Sequence, residues 1–335
     1  MRARTKLFVL ILTAIASLHL TACSGGGSGT SSPNPTPAIN NQWTWVGGAN
    51  FTGQSGIYGT EGIAAASNTP GARAEATSWT DPSGNFWLFG GNGNDAAGVS
   101  NLVIGGDYRN DLWKYSGGQW TWMGGSNLIN QPGFYGTQGT PAPANIPGAR
   151  EQAFSWTDSS GDLWLFGGDG CDSQGTYGFL NDLWRFSAGQ WTWMGGSNLV
   201  YQASNFGSQG TPAPTNTPGA RTGGVSWTDA SGPWLFGGLA YDSTRGLMFL
   251  NDVWKYSAGQ WTWIGGSNAI DQQGIYGTEG TPSAANVPGG RLHAVGWADA
   301  SGKLWLFGKA TPNPNPTVAA AGGQDFQNDL WTYQP

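Results

Sequence analysis

The chain has 335 residues, of which 57 are Gly, 20 Trp and 19 Pro, with 13% aromatic and only 10% charged residues. That much aromatic surface demands a core and excludes a disordered chain, while a Gly content this high excludes long helices and coiled coils, since each Gly in a helix interior costs about 1 kcal/mol. A formal charge of −6 makes nucleic acid and anionic lipid surfaces poor partners. Strands and turns remain.

The chain opens on an address. Arg2, Arg4 and Lys6 precede an apolar run from Leu7 to Leu20, shorter than the roughly 20 residues that cross a bilayer, and Leu20-Thr21-Ala22-Cys23 closes it with small residues before a cysteine. The segment resembles a bacterial lipoprotein signal. The resemblance implies that residues 1–22 are removed and that Cys23 carries the lipid; Ser24, where Asp would mean retention at the inner membrane, directs the chain to the outer membrane of the cell envelope. An ordinary signal with an incidental cysteine is the plainer alternative. Residues 23–38 read as a Gly/Ser and then Pro-rich tether with nothing to bury. Cys171 is the only other cysteine, so no intrachain disulfide framework is available and stability must come from packing.

From residue 39 to 335 the chain is a repeat. Pro-Gly-Ala-Arg stands at Pro70–Arg73, Pro147–Arg150 and Pro218–Arg221, with Pro-Gly-Gly-Arg at Pro288–Arg291; Trp-Thr-Trp recurs at Trp43, Trp120, Trp191 and Trp261. Between these markers lie SWTD, a short turn, WLFGG, a longer segment and NDLW or NDVW. Four short strands fit each unit, in the first at Ala74–Trp79, Phe86–Gly90, Asp111–Ser116 and Trp120–Gly124, joined by Gly-containing hairpin turns. A four-stranded meander repeated in tandem predicts an all-β propeller.

WLFGG, NDLWKYS and a Trp-bearing last strand resemble the kelch repeat of galactose-oxidase-like propellers, over Trp43 to the C-terminus. The fourth unit departs from it, with Lys309 in place of the second Gly and a Pro/Ala-rich detour at 311–323. That last unit also lacks its Trp-Thr-Trp, and the missing element stands at the N-terminus as Trp43–Trp45. The expectation is therefore four blades closed by the N-terminal strand, which hides the sheet edges; an incomplete ring or a dimer of half-rings is the alternative. Strand parity puts the short turns on one face and the long connections on the other, where recognition is expected.

Candidate residues follow from what repeats and what does not. Arg73, Arg150, Arg221 and Arg291, with Asp111, Asp182, Asp252 and Asp329, occur once per unit and read as pairs bracing first and third strands; the functional alternative is an arginine ring gripping an acidic sugar. Asp81, Asp158, Asp229 and Asp299 are expected to cap their own turns. Asp95, Asp172 and Asp242 lack the clustered oxygens of a calcium site. Unrepeated residues of the long-loop face, Asp107, Tyr108, Arg109, Tyr177, Phe179, Tyr241 and Arg245, suit stacking on sugars or anchoring a peptide.

Outside the signal His293 is the only histidine, so His-rich metal sites are absent, no metal or cofactor is expected, and the two His of a copper radical oxidase cannot be supplied. His293 itself reads as a structural residue of an inner strand, and Cys171 as a lone loop thiol. These readings favour a lipid-anchored, non-catalytic binding or scaffolding module for protein or glycan, with no nucleic-acid partner and with the membrane reached only through the anchor. The rival is a sugar-active enzyme resembling the kelch-type sialic acid mutarotases, for which Glu75 and Glu151 are the plausible acid/base residues, at non-equivalent offsets from the repeated Arg.

Overall fold

The computed structural model describes residues 42–98, 106–241, 246–312 and 324–335. The signal, the tether, Cys23, Asp242 and Arg245 lie outside them. The described chain falls into two units, residues 42–47 and Gly48–Pro335.

In the second unit every regular element among the described residues is a strand: β1 (Arg73–Ala74), β2 (Thr77–Thr80), β3 (Phe86–Phe89), β4 (Asn92–Gly93), β5 (Leu112–Ser116), β6 (Gln119–Gly124), β7 (Arg150–Glu151), β8 (Phe154–Thr157), β9 (Leu163–Cys171), β10 (Tyr177–Ser187), β11 (Gln190–Gly195), β12 (Val225–Asp229), β13 (Gly232–Tyr241), β14 (Leu247–Ser257), β15 (Gln260–Gly265), β16 (Val295–Ala298), β17 (Leu304–Pro312) and β18 (Gln324–Tyr333). Four antiparallel sheets form the four blades of a β-propeller: β2-β3-β5-β6, β8-β9-β10-β11, β12-β13-β14-β15 and β16-β17-β18. The inner strands β2, β8, β12 and β16 follow one another in contact.

Each hairpin between first and second strand is held by one carboxylate. Asp81 Oδ1 accepts from the backbone of Ser83 and Asn85 while Oδ2 accepts from Trp87 Nε1, and Asp158, Asp229 and Asp299 do the same for Trp164, Trp234 and Trp305. The core lies between blades. Trp79, Trp87, Phe89 and Leu112 of blade 1 pack on Leu163, Leu165, Trp184, Phe186 and Trp191 of blade 2, and the same pattern joins blades 2 and 3 and blades 3 and 4.

Two expectations are corrected. The connection between second and third strands is largely ladder in blades 2 and 3: β9 runs on to Cys171 and β10 starts at Tyr177, with a register shift between Leu180 and Leu183. A two-residue-period ladder simply continues where both flanks can still exchange hydrogen bonds, and the apolar Phe179 and Leu180 bury there. The expected closing strand is also not formed. Residues 42–46 take no strand conformation, Trp43 and Trp45 are exposed, and the fourth sheet has three strands among the described residues. In blades 1 and 2 the segment preceding the first strand lies over the fourth strand, as when Tyr58 packs on Trp122 and Tyr135 on Trp193. The matching Tyr276 of blade 4 is left exposed.

Candidate functional site at the starts of the inner strands

The repeated charges are scaffold by geometry. Arg150 Nη1 and Nη2 reach Asp182 Oδ1 and Oδ2 at 2.6 and 2.7 Å, Nη1 also donates to Gly167 O, and neither side chain is exposed. Arg73–Asp111, Arg221–Asp252 and Arg291–Asp329 repeat the fork. The Asp also accepts from an indole, Trp113, Trp184, Trp254 or Trp331, and in three blades from a phenol, Tyr58, Tyr135 or Tyr276. In blade 3 Phe206 stands in the phenol's place, and Ser204 Oγ meets Arg221 instead. These tyrosines escaped notice in the sequence because they sit in the segment before the first strand, far from the Arg and Asp they join. Guanidinium groups locked in this way are not presented to an acidic sugar.

Among the described residues the loop-face candidates fall into two groups, Asp107 and Tyr108 near Tyr177, and Phe179 against Tyr241. Asp107, Tyr108, Arg109 and Phe179 are buried. Arg109 Nη1 donates to Tyr58 OH at 3.0 Å, and Phe179 packs on Tyr241, which is half-buried. Tyr177 is the exposed member, its ring 6.1 Å from that of Tyr108. Asp95 and Asp172 cap their own turns through the backbone of Ala97, Gln174 and Thr176. Cys171 is fully buried beside Tyr108 and Ala149, and burial pushes its thiol up to about 12. No group of three metal-ligating side chains occurs among the described residues. Clefts of about 570 and 510 Å³ lie between blades 2 and 3 and between blades 1 and 2, but their linings repeat, Asn181, Met194 and Trp261 in one and Asn110, Met123 and Trp191 in the other, so they belong to the wedge between neighbouring blades.

Residues two positions after each repeated Arg also converge. Glu75, Gln152, Gly223 and His293 all take the left-handed conformation, with φ of 56°, 52°, 61° and 55°. A backbone chain links them: Gln152 N donates to Glu75 O, Gly223 N to Gln152 O and His293 N to Gly223 O, at 3.1, 3.4 and 2.6 Å. The side chains form a second line. Gln152 Nε2 donates to Glu75 Oε2, and Gln152 Oε1 faces His293 Nε2 at 2.7 Å and accepts from Thr222 Oγ1 at 3.4 Å. In that amide orientation Nε2 of His293 carries the hydrogen.

Next to this line is a group of acids. Burial first, and then the charge of Glu75, push the Glu151 carboxyl up to about 7, although Asn92 hydrogen-bonds to it; Asp169 adds a smaller push. Burial likewise raises the Asp169 carboxyl, which accepts from Tyr108 OH at 2.9 Å. Glu75 and Glu151 are thus close enough to feel each other despite their different offsets, and near neutral pH Glu151 can both give and take a proton. Gln152, Thr222, Asp169 and Asn92 were not singled out in the sequence. The signal was there: a fixed offset from an invariant repeat residue, occupied by Glu, Gln, Gly and His in turn.

No family model and no curated protein matches the chain. Among solved structures the chain is similar to one titled "Structure of YjhT", at 16% identity over 80% of this chain and 70% of that chain, with a TM-score of 0.46.

Proposed function

We propose that the chain is a lipoprotein of the bacterial cell envelope whose kelch-like propeller is a binding module for a glycan, taken at the starts of the inner strands rather than on the long-loop face. One observation carries this reading: a backbone conformation held constant across four blades presents three different side chains, Glu75, Gln152 and His293, with Gly223 at the fourth position. A group repeated in every blade serves the scaffold, whereas a repeated position with unrepeated chemistry can specify a ligand. Glu75, Glu151, Gln152 and His293 offer acceptors and donors of the kind hydroxyl-rich ligands take, and the surplus of carboxylates favours neutral or amino sugars over acidic ones. The test is a glycan array followed by calorimetry on the best binder. Glu151→Gln and His293→Ala are each expected to weaken binding at least tenfold, about 1.4 kcal/mol, while Tyr177→Ala on the loop face leaves it unchanged. The opposite ranking would return the site to the loops.

A second reading rests on the Glu151 carboxyl titrating near neutrality beside Glu75. Such a group can act as general acid and base on a sugar's ring oxygen and anomeric hydroxyl, as mutarotation requires. An anomerisation assay run beside the array separates the two readings. Acceleration that disappears in Glu151→Gln supports the enzyme, and binding without acceleration supports the module.

A further inference from the structure

The three blade junctions share one recipe, and the two end blades each carry an unused half of it. On the side facing its successor, a blade presents a β-branched, aromatic or Thr residue and a Trp from the first strand, a Trp and a Phe from the second, and an aliphatic residue from the third. In blade 3 these are Val225, Trp227, Trp234, Phe236 and Val253, packed on Leu304 and Leu306 of blade 4. On the side facing its predecessor, a blade presents two residues of the second strand and an aromatic pair from the third and fourth. In blade 2 these are Leu163, Leu165, Phe186 and Trp191. Ring meets ring at fixed places. Phe89 and Phe166 lie 5.5 and 5.3 Å from Trp191 and Trp261 of the next blade, while Trp87, Trp164 and Trp234 lie 5.5, 5.5 and 5.7 Å from Phe186, Tyr256 and Tyr333. Indole nitrogens of the first strands add hydrogen bonds across two junctions, Trp79 to Trp164 O and Trp227 to Trp305 O.

Blade 4 presents the successor-facing set to solvent. Val295, Trp297, Phe307 and Leu330 are 59%, 43%, 42% and 55% exposed, where their equivalents Val225, Trp227 and Phe236 are 6%, 7% and 2%. Blade 1 presents the predecessor-facing set. Phe86 is 55% exposed against 2% for Leu163, and Leu88, Tyr115 and Trp120 are half-buried where Leu165, Phe186 and Trp191 are buried. Ser78 and Thr80 of β2 are exposed as well, although the next two blades use the matching hydroxyls, Ser155, Thr157 and Ser226, on carbonyls of the preceding inner strand. The two faces carry the two residue sets that elsewhere in this same chain pack on each other, so each is complementary to the other.

We infer that two copies of this chain join end to end, the bare face of the fourth blade of one seated on the bare face of the first blade of the other, with the reciprocal junction closing a two-fold ring of eight blades. The occupant is a second copy because the predecessor-facing set is the surface that already fits this face three times within the chain, and because the three junctions as built leave blades 1 and 4 both uncovered. Two identical junctions related by a two-fold axis satisfy both ends at once and leave none to propagate. In the junction Phe307 meets Trp120 of the partner subunit, and Trp305 meets Tyr115 of the partner subunit.

The test uses the full chain carrying Cys23→Ser, so that no lipid drives association. Light scattering at micromolar concentration is expected to give twice the chain mass; a mass equal to one chain would overturn the inference, and a ladder of higher multiples would overturn the closed ring. Phe307→Glu and Phe86→Glu are each expected to give single chains with the strand signature in circular dichroism retained. A cysteine test guards against variants that fail to fold. Copies carrying only Phe307→Cys, mixed with copies carrying only Trp120→Cys, are expected to form a cross-linked pair on oxidation, and no cross-link would count against the junction. When both substitutions sit in one chain, a cross-link confined to single chains would mean that the ring closes on itself.

Discussion

Arg150 and Asp182 show how much one fork can hold. Both are excluded from water, and removing the cation alone leaves a buried carboxylate facing Tyr135 and Trp184 without its counter-charge. Arg150→Ala is therefore expected to lose about 3–5 kcal/mol of stability in a urea titration. Glu151 makes the converse case. Its carboxyl titrates at about 7 in the folded chain against an ordinary value of 4.5, so the folded state holds a proton that the unfolded state releases. Stability from this group is present below pH 4.5 and is lost as pH rises through about 7. Melting followed between pH 5 and 8 should fall in that window, and Glu151→Gln, which stays neutral, should flatten it. In the sequence the Arg–Asp pairs were legible because they repeat. The position of Glu151 was not, since proximity of residues 75 and 151 arises only when two inner strands lie side by side.

At the scale of the element, the double glycine that follows WLF in the first three units shows why some special backbone positions could be read before the fold. Gly168 sits at φ 99°, and a Cβ there would stand 2.6 Å from Glu151 O. At Gly167, with φ 62°, an added Cβ would stand 2.9 Å from the carbonyl oxygens of Arg221 and Leu180. This is where blade 2 closes against blade 3, through Gly168 N donating to Arg221 O. Gly168→Ala is accordingly expected to cost more than the roughly 1 kcal/mol of an ordinary misfit, and to do so by loosening the junction, seen as faster amide exchange on both sides of it. The hairpin strands and their capping carboxylates were likewise plain from period and turn chemistry. The extension of the ladders to Cys171 and Tyr241 was not. Polar and Gly-rich segments such as Gly167–Gly170 look like loop until a partner strand is known to run beside them.

For the whole molecule, the repeat fixed the number of blades and their order, because each unit must bury its faces on the next. It did not fix how the series ends. A spare fourth-strand sequence at the N-terminus looked like the closing strand, yet residues 42–46 take no strand conformation, and Val295, Trp297, Phe307 and Leu330 of blade 4 are exposed. Local pattern reports what a segment is suited to and says nothing of how far the curvature of successive junctions carries it. The site suffered the same blindness. Unrepeated aromatics on long segments looked available, and Tyr108 and Phe179 are buried, whereas Glu75, Gln152 and His293 meet from strand starts one or two repeats apart.

The shared left-handed conformation of those four starts sets stability against use. Only Gly223 adopts it at no steric cost; for Glu75, Gln152 and His293 it is unfavourable by roughly 1–2 kcal/mol apiece. A chain optimised for endurance alone would carry glycine at all four. Glu75→Gly should therefore raise stability by roughly 0.5–1 kcal/mol, lower the carboxyl of Glu151 by removing the neighbouring charge, and weaken whatever is bound there. A variant that melts higher, titrates lower and binds less would identify these three side chains as retained for recognition against the preference of the backbone that carries them.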